Sequence, residues 1–273
     1  MSRRDQATTM TTTTGQRAGR SAPSGFTLVE LLVVIAILAM LVALVTTAGL
    51  RGMSAARNAR IKAEIDMLHT AIMNYKNEYG TYPPCSDDLS AATGQATKHV
   101  QRIFPRCSSA YAQLTTAMAG RTPAQINPTN AIAFWMSGYT ADPTAPLASA
   151  SSARKKLYDF DQSRLDAPSG AYWPSGKTGS PYIYIDSGNY ANYPYTQSNT
   201  SAVRAQRVPT TPPSFSDARA FATPLGTETS PPFANADSFQ ILCAGQDETF
   251  GTDDDMSNIW PATRKEYLDS LKQ

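Results

Sequence analysis

Cysteine and histidine are scarce in this sequence. Three Cys and two His stand among 273 residues, without a CxxC pair, which leaves too little for a zinc site. Neither GxSxG nor HExxH occurs, and no Cys/His arrangement supplies a nucleophile with its base, so the common hydrolase signatures are missing. A surplus of one charge is missing too. The 24 Lys and Arg face 22 Asp and Glu, a net +2 that gives no ground for a nucleic-acid partner. Internal repeats are absent, which argues against a solenoid. Nineteen Pro and sixteen Gly speak for a loop-rich body over an all-helical one.

What is present is concentrated at the N-terminus. Residues 1–25 are polar and Thr-rich, with Arg3, Arg4, Arg17 and Arg20 against the single acid Asp5. Phe26-Thr27-Leu28-Val29-Glu30 follows, and then an unbroken apolar run over 31–45. At about 1.5 Å per residue the stretch 26–50 reaches roughly 37 Å, enough to cross a bilayer. A basic leader favours a cytoplasmic N-terminus, but Arg51, Arg57, Arg60 and Lys62 beyond the run weaken that argument. An ordinary secretory signal has a shorter apolar core and a small-residue cleavage site. It also has no use for a carboxylate such as Glu30, which costs a few kcal/mol within a membrane span. Thr27-x-x-Glu30 reads as a capping box, which suits a helix start but does not explain an acid ahead of a membrane span.

The run Ser24-Gly25-Phe26-Thr27-Leu28-Val29-Glu30-Leu31-Leu32 resembles the cleavage and methylation motif of type IV pilin-like prepilins. The resemblance implies that a membrane-embedded prepilin peptidase cuts after Gly25 and N-methylates Phe26. It also implies that Glu30 serves assembly by pairing with an amine, its own or that of a neighbouring subunit. Many relatives carry a helix-kinking Pro late in the apolar run, where this chain has Thr46-Thr47 and Gly49. The implied partners are further copies of the chain, other pilin-like subunits, prepilin peptidase, an inner-membrane assembly platform and the lipid bilayer. The implied location is single-pass in the inner membrane, with the C-terminal body extracytoplasmic.

Beyond the span, Ile61, Ile65, Leu68, Ile72, Tyr75 and Tyr79 recur at helical spacing. Arg60, Lys62, Glu64, Asn74, Lys76 and Glu78 are assigned to the polar faces, and His69 to packing rather than ligation. Gly80 and Pro83-Pro84 end the helix. The run Tyr79-Gly80-Thr81-Tyr82-Pro83-Pro84 resembles the helix exit of the G-type major pseudopilins of type II secretion. Helical pieces are predicted at 109–119 and 130–136, and strands at 181–186 and 238–243. The stretches 148–153 and 203–233 read as Ser/Ala-rich and Pro/Thr/Ser-rich sequence.

The expected fold is α+β: a long N-terminal helix, half transmembrane and half amphipathic, packed on a small antiparallel sheet with a large loop-rich insertion. Its parts are a removable leader (1–25), the transmembrane assembly helix (26–50) and the amphipathic helix (51–80). A loop-rich variable region (81–235) and a C-terminal strand with an acidic loop (236–273) complete it. Cys85 and Cys107 either close a short disulfide loop outside the cytoplasm, leaving Cys243 free, or all three remain thiols; spacing decides neither.

Four Asp and one Glu fall within 247–255, flanked by Gly245 and Gly251. Oxygen donors on a flexible loop suit Ca²⁺, although the spacing is not that of an EF-hand. A solvated acidic turn is the plainer alternative. The stretch resembles the C-terminal calcium loop of the major pseudopilins, with Met256 for the usual Ile and Glu248 for a Gly. The resemblance implies calcium ligands at Asp247, Asp254 and Asp255, and leaves open whether Asp253 and Thr249 join them. The function implied is a filament subunit for type II protein secretion, not an enzyme. The alternatives are a pilus pilin, a pilin-stemmed adhesive or ligand-binding protein, and a signal-anchored extracytoplasmic hydrolase.

Overall fold

The computed structural model describes residues 25–148, 154–177, 179–192 and 233–270. The leader up to 24 and the stretches 149–153 and 203–232 lie outside the described residues. The chain forms two compact units, Met1–Arg51 and Gly52–Gln273, and helix α1 (Leu28–Tyr79) contributes to both.

In the first unit, the residues Leu28–Thr46 have a mean hydropathy of 3.1 and none is buried within the protein. This stretch is long and apolar enough to cross a membrane. The Thr46 hydroxyl donates to the Val42 carbonyl at 2.7 Å, so the one polar side chain at the end of the run satisfies itself along the helix.

In the second unit, the apolar stripe of α1 is the spine of the core. Ile61, Ile65, Leu68, Ile72 and Tyr75 are each at most 2% exposed, and burial of such a side chain contributes about 1.5–3 kcal/mol. The helix ends where Gly80 takes φ 78°, a conformation that side chains resist. The stripe faces an antiparallel sheet in the order β3 (Ile183–Asp186), β4 (Phe239–Cys243), β5 (Met256–Ser257). Ile183 pairs with Leu242, and Cys243 with Met256. All five residues of β4 are buried, so both of its faces are covered, which explains why its hydrophobic alternation is weak. His69 packs on Phe239 with ring centroids 5.0 Å apart.

The insertion carries α2 (Gln95–Ile103), α3 (Ala110–Met118), α4 (Ala131–Met136) and a two-residue hairpin of β1 (Tyr139–Thr140) with β2 (Arg154–Lys155). Its helices add Val100, Leu114 and Trp135 to the same core, and the Trp135 indole N–H donates to the Pro84 carbonyl at 2.8 Å. Helix α2 is held by Asp87, whose carboxylate accepts from the Ala96 N–H at 2.6 Å. A Cβ at Gly94 would meet that carboxylate at 2.4 Å, so the close approach requires glycine. The chain closes with α5 (Arg264–Ser270).

Of the two alternatives left open for the cysteines, the structure has the thiols: all three are free and buried, Cys107 accepting from the Gln113 amide at 3.4 Å. One expectation is corrected. Glu64 does not lie on a solvated face; it is 5% exposed, because the insertion brings an arginine and two tyrosines over it.

Candidate functional site

At the start of α1, Thr27 and Glu30 form a reciprocal capping box. Glu30 Oε2 accepts from the Thr27 N–H at 2.9 Å and from the Thr27 hydroxyl at 2.8 Å, and the Glu30 N–H returns to Thr27 Oγ1 at 3.2 Å. Two otherwise orphaned backbone donors are satisfied, and the carboxylate sits at the positive end of the helix dipole. Phe26 lies just before this cap, 76% exposed, and Gly25 has open space around its Cα. The three residues singled out for cleavage, methylation and assembly thus occupy one short, accessible segment at the mouth of an apolar helix.

The second place is the acidic loop between β4 and β5. Its backbone turns at Gly245 (φ 68°), Glu248 (φ 60°) and Gly251 (φ 94°). Glu248 therefore holds the left-handed conformation that glycine adopts freely, at the position where the resembling loops carry glycine. Gln246 ties the loop to α1: its side-chain amide donates to the Ser54 carbonyl at 3.0 Å and to Asn58 Oδ1 at 2.6 Å.

The loop carboxylates are mostly engaged with their own backbone. Asp254 accepts from the Gln246 and Asp247 N–H groups at 2.6 and 3.0 Å and from the Thr252 hydroxyl at 2.7 Å. Burial works against its ionisation, but these bonds outweigh it and hold the carboxyl below the usual range. Asp247 caps the Thr249 N–H at 2.8 Å. Asp255 is 5% exposed; one oxygen accepts from the Gly251 N–H at 2.7 Å, while Oδ1 is buried without a hydrogen-bond partner. Burial pushes this carboxyl up to about 7, although Gly251 and the Arg264 charge pull the other way. Arg264, itself buried, donates to the Gly251 carbonyl and, at 3.3 Å, to that of Thr252. Among the described residues no three His, Cys, Asp or Glu side chains are gathered closely enough to hold an ion. One donor does fit: the orphaned Asp255 Oδ1 is an oxygen that a hard cation would take.

A third cluster was not legible in the sequence. Both oxygens of Glu64 are used: Tyr172 and Tyr182 donate to it at 2.7 Å each, and Arg164 at 2.8 Å through one nitrogen and more closely through the other. Arg164 also donates to the Trp173 and Pro174 carbonyls, and lies over the Tyr172 ring. Burial pushes the Glu64 carboxyl up, but these three partners outweigh it and leave it lowered. The pattern is a structural clamp between α1, the insertion and the start of β3. The only sequence signal was an acid placed beside, rather than opposite, the apolar stripe.

Among known protein families, the prokaryotic N-terminal methylation motif matches residues 20–46. No curated protein and no solved structure matches the chain. The matched segment contains Gly25, Phe26, the capping box and the apolar run up to Thr46. Over residues 20–46 this chain carries a prokaryotic N-terminal methylation motif of the type IV prepilin kind.

Proposed function

We propose that this protein is a pilin-like filament subunit, and within that class a pseudopilin serving type II protein secretion. It is cut after Gly25 by prepilin peptidase, methylated on Phe26, and polymerised through α1 from the inner membrane into a periplasmic or surface filament. Its body lies outside the cytoplasm, and its task is assembly, not catalysis. The observation that carries the reading is the exposed Gly25-Phe26 step directly ahead of a capped Glu30 on a membrane-capable helix, inside the matched motif. Methylation keeps the charge of the new amine, so the mature terminus retains a cation for a carboxylate. The extension to a secretion pseudopilin is supported by the helix exit at 79–84 and by the left-handed turn at Glu248. Mass spectrometry of the membrane-extracted chain should show an N-methylated Phe26 terminus. A chain that retains Met1, or one cut near 47–49, would sink the proposal, and a bulky residue at 25 should block cutting.

The loop at 247–255 is further proposed to hold calcium through Asp247, Asp254 and Asp255 with loop carbonyls, and Asp255 Oδ1 supports this. The ion would offset the repulsion among the acids and hold the loop against β4 and β5. At a calcium concentration about 100 times the dissociation constant, linkage adds roughly 2.7 kcal/mol. The mature chain in detergent micelles should therefore melt higher in calcium than in chelator. Magnesium should do little, since it demands tighter octahedral geometry. Asp255→Asn keeps the side-chain shape and should remove the difference. Identical melting of the wild type in calcium, magnesium and chelator would return the loop to a solvated turn braced by Arg264.

A further inference from the structure

Among the described residues, two charged faces of the second unit lack partners of opposite sign. Lys98 and Arg102 stand one turn apart on α2 and Arg106 follows just past its end, all three exposed. Among the described residues none of them makes an ion pair. Acids of this part of the fold are engaged elsewhere: Asp87 caps Ala96 of α2, Glu78 is held by Lys155 at 2.8 Å, and Asp88 and Asp142 are turned onto Ser90 and Thr144. On the acidic loop, Asp247, Glu248 and Asp253 are exposed and, among the described residues, also make no ion pair.

The two faces sit at opposite ends of the α1 stretch within this unit. Gln246 pins the loop to Ser54 and Asn58. His99 of α2 bonds the Tyr75 hydroxyl at 2.7 Å, and Phe104 packs against Tyr79 with ring centroids 6.1 Å apart. From residue 54 to residue 75 a helix advances about 30 Å. The loop thus presents its exposed acids near one end of this stretch, alongside Arg57 and Arg60 of α1, and α2 presents its cations near the other.

We propose that the acidic loop of one copy docks on the basic α2 face of the next, head to tail along α1. The inference rests on the filament-subunit reading and adds the surfaces that fix the axial register. A contact between two different patches leaves one of each free at the ends, so it repeats into an open filament instead of closing a dimer. Exposed ion pairs contribute little individually; their effect is to select the partner and the register, and it weakens with salt. Glu248 is outside the proposed calcium ligand set, so an ion in the loop leaves this outward charge in place.

The test uses the full chain, produced together with prepilin peptidase and the assembly platform, with filaments counted by electron microscopy. Lys98→Glu with Arg102→Glu should lower filament yield at least tenfold. Glu248→Lys with Asp253→Lys should do the same. Combining all four should restore yield to within about twofold, while each variant melts like the wild type. The reading of the chain as a filament subunit fails if the wild type forms no filaments. If the wild type assembles, the docking is overturned when neither reversal lowers the yield, when only the basic one does, or when the combination fails to rescue.

Discussion

Replacing Glu64 with leucine is expected to destabilise the folded body by about 3–5 kcal/mol, because it strands a buried guanidinium. Arg164 has only 11% of its side chain exposed, and its fork is aimed at the Glu64 carboxylate. The Tyr172 and Tyr182 hydroxyls lose the same acceptor, and each unsatisfied buried hydroxyl costs about 1–3 kcal/mol unless it finds another. For a unit of this size about 2–4 °C is lost per kcal/mol, so the melting temperature should fall by roughly 10 °C. Glu64→Leu with Arg164→Met should be less damaging than Glu64→Leu alone, since no buried charge is left unpaired. The pH dependence has a definite sign. The folded pKa of Glu64 is lowered, so its stabilisation is present above the ordinary carboxylate pKa of about 4.3 and is lost as pH falls through the folded value. Wild-type melting in the Glu64→Leu protein would show that the clamp carries no stability.

Glu30→Leu should leave membrane insertion intact and abolish filaments. Insertion improves if anything, since a carboxylate in a span costs a few kcal/mol. Assembly should fail because, on the proposed pairing, the amine of a neighbouring Phe26 loses its countercharge. The capping box supplies the control. Glu30 has two roles at this position, as the cap of its own helix and as the proposed partner of an amine, and glutamine keeps the first while removing the second. If charge pairing drives assembly, Glu30→Gln and Glu30→Leu both give membrane-inserted, unassembled protein. If Glu30→Gln assembles normally and Glu30→Leu does not, the residue matters only as a cap. Normal filaments from both would end any role for Glu30 in assembly.

Much of the local structure was legible because it is governed by neighbours in sequence. The helix exit at Gly80 follows from a left-handed backbone that glycine tolerates. The predicted pieces at 109–119 and 130–136 emerge as Ala110–Met118 and Ala131–Met136, and the predicted strand at 238–243 as Phe239–Cys243. Helix α2 was harder to see. Its start depends on Asp87, and its buried face includes His99 and Thr97, polar residues that a hydrophobic pattern does not count. Strand β5 is two residues long and exists by pairing with β4, not through any propensity of Met256-Ser257.

The sequence by itself determined the motif at 20–46, the membrane-capable run and the capping box, because each depends on residue types within a few positions of one another. It also determined the spine of the body, since the 3.6-residue period places Ile61, Ile65, Leu68, Ile72 and Tyr75 on one face whatever packs there. Only the tertiary structure decided which polar residues leave solvent. Glu64 is buried because Arg164, Tyr172 and Tyr182, about 100 positions away, converge on it. Asp255 is buried while Asp253 is exposed, because the chain reverses through Gly251 and α5 folds back so that the Arg264 N–H reaches the Asp255 carbonyl at 2.8 Å. Burial of a charge is set by what the rest of the chain brings to it, and a local pattern carries no record of residues so far apart.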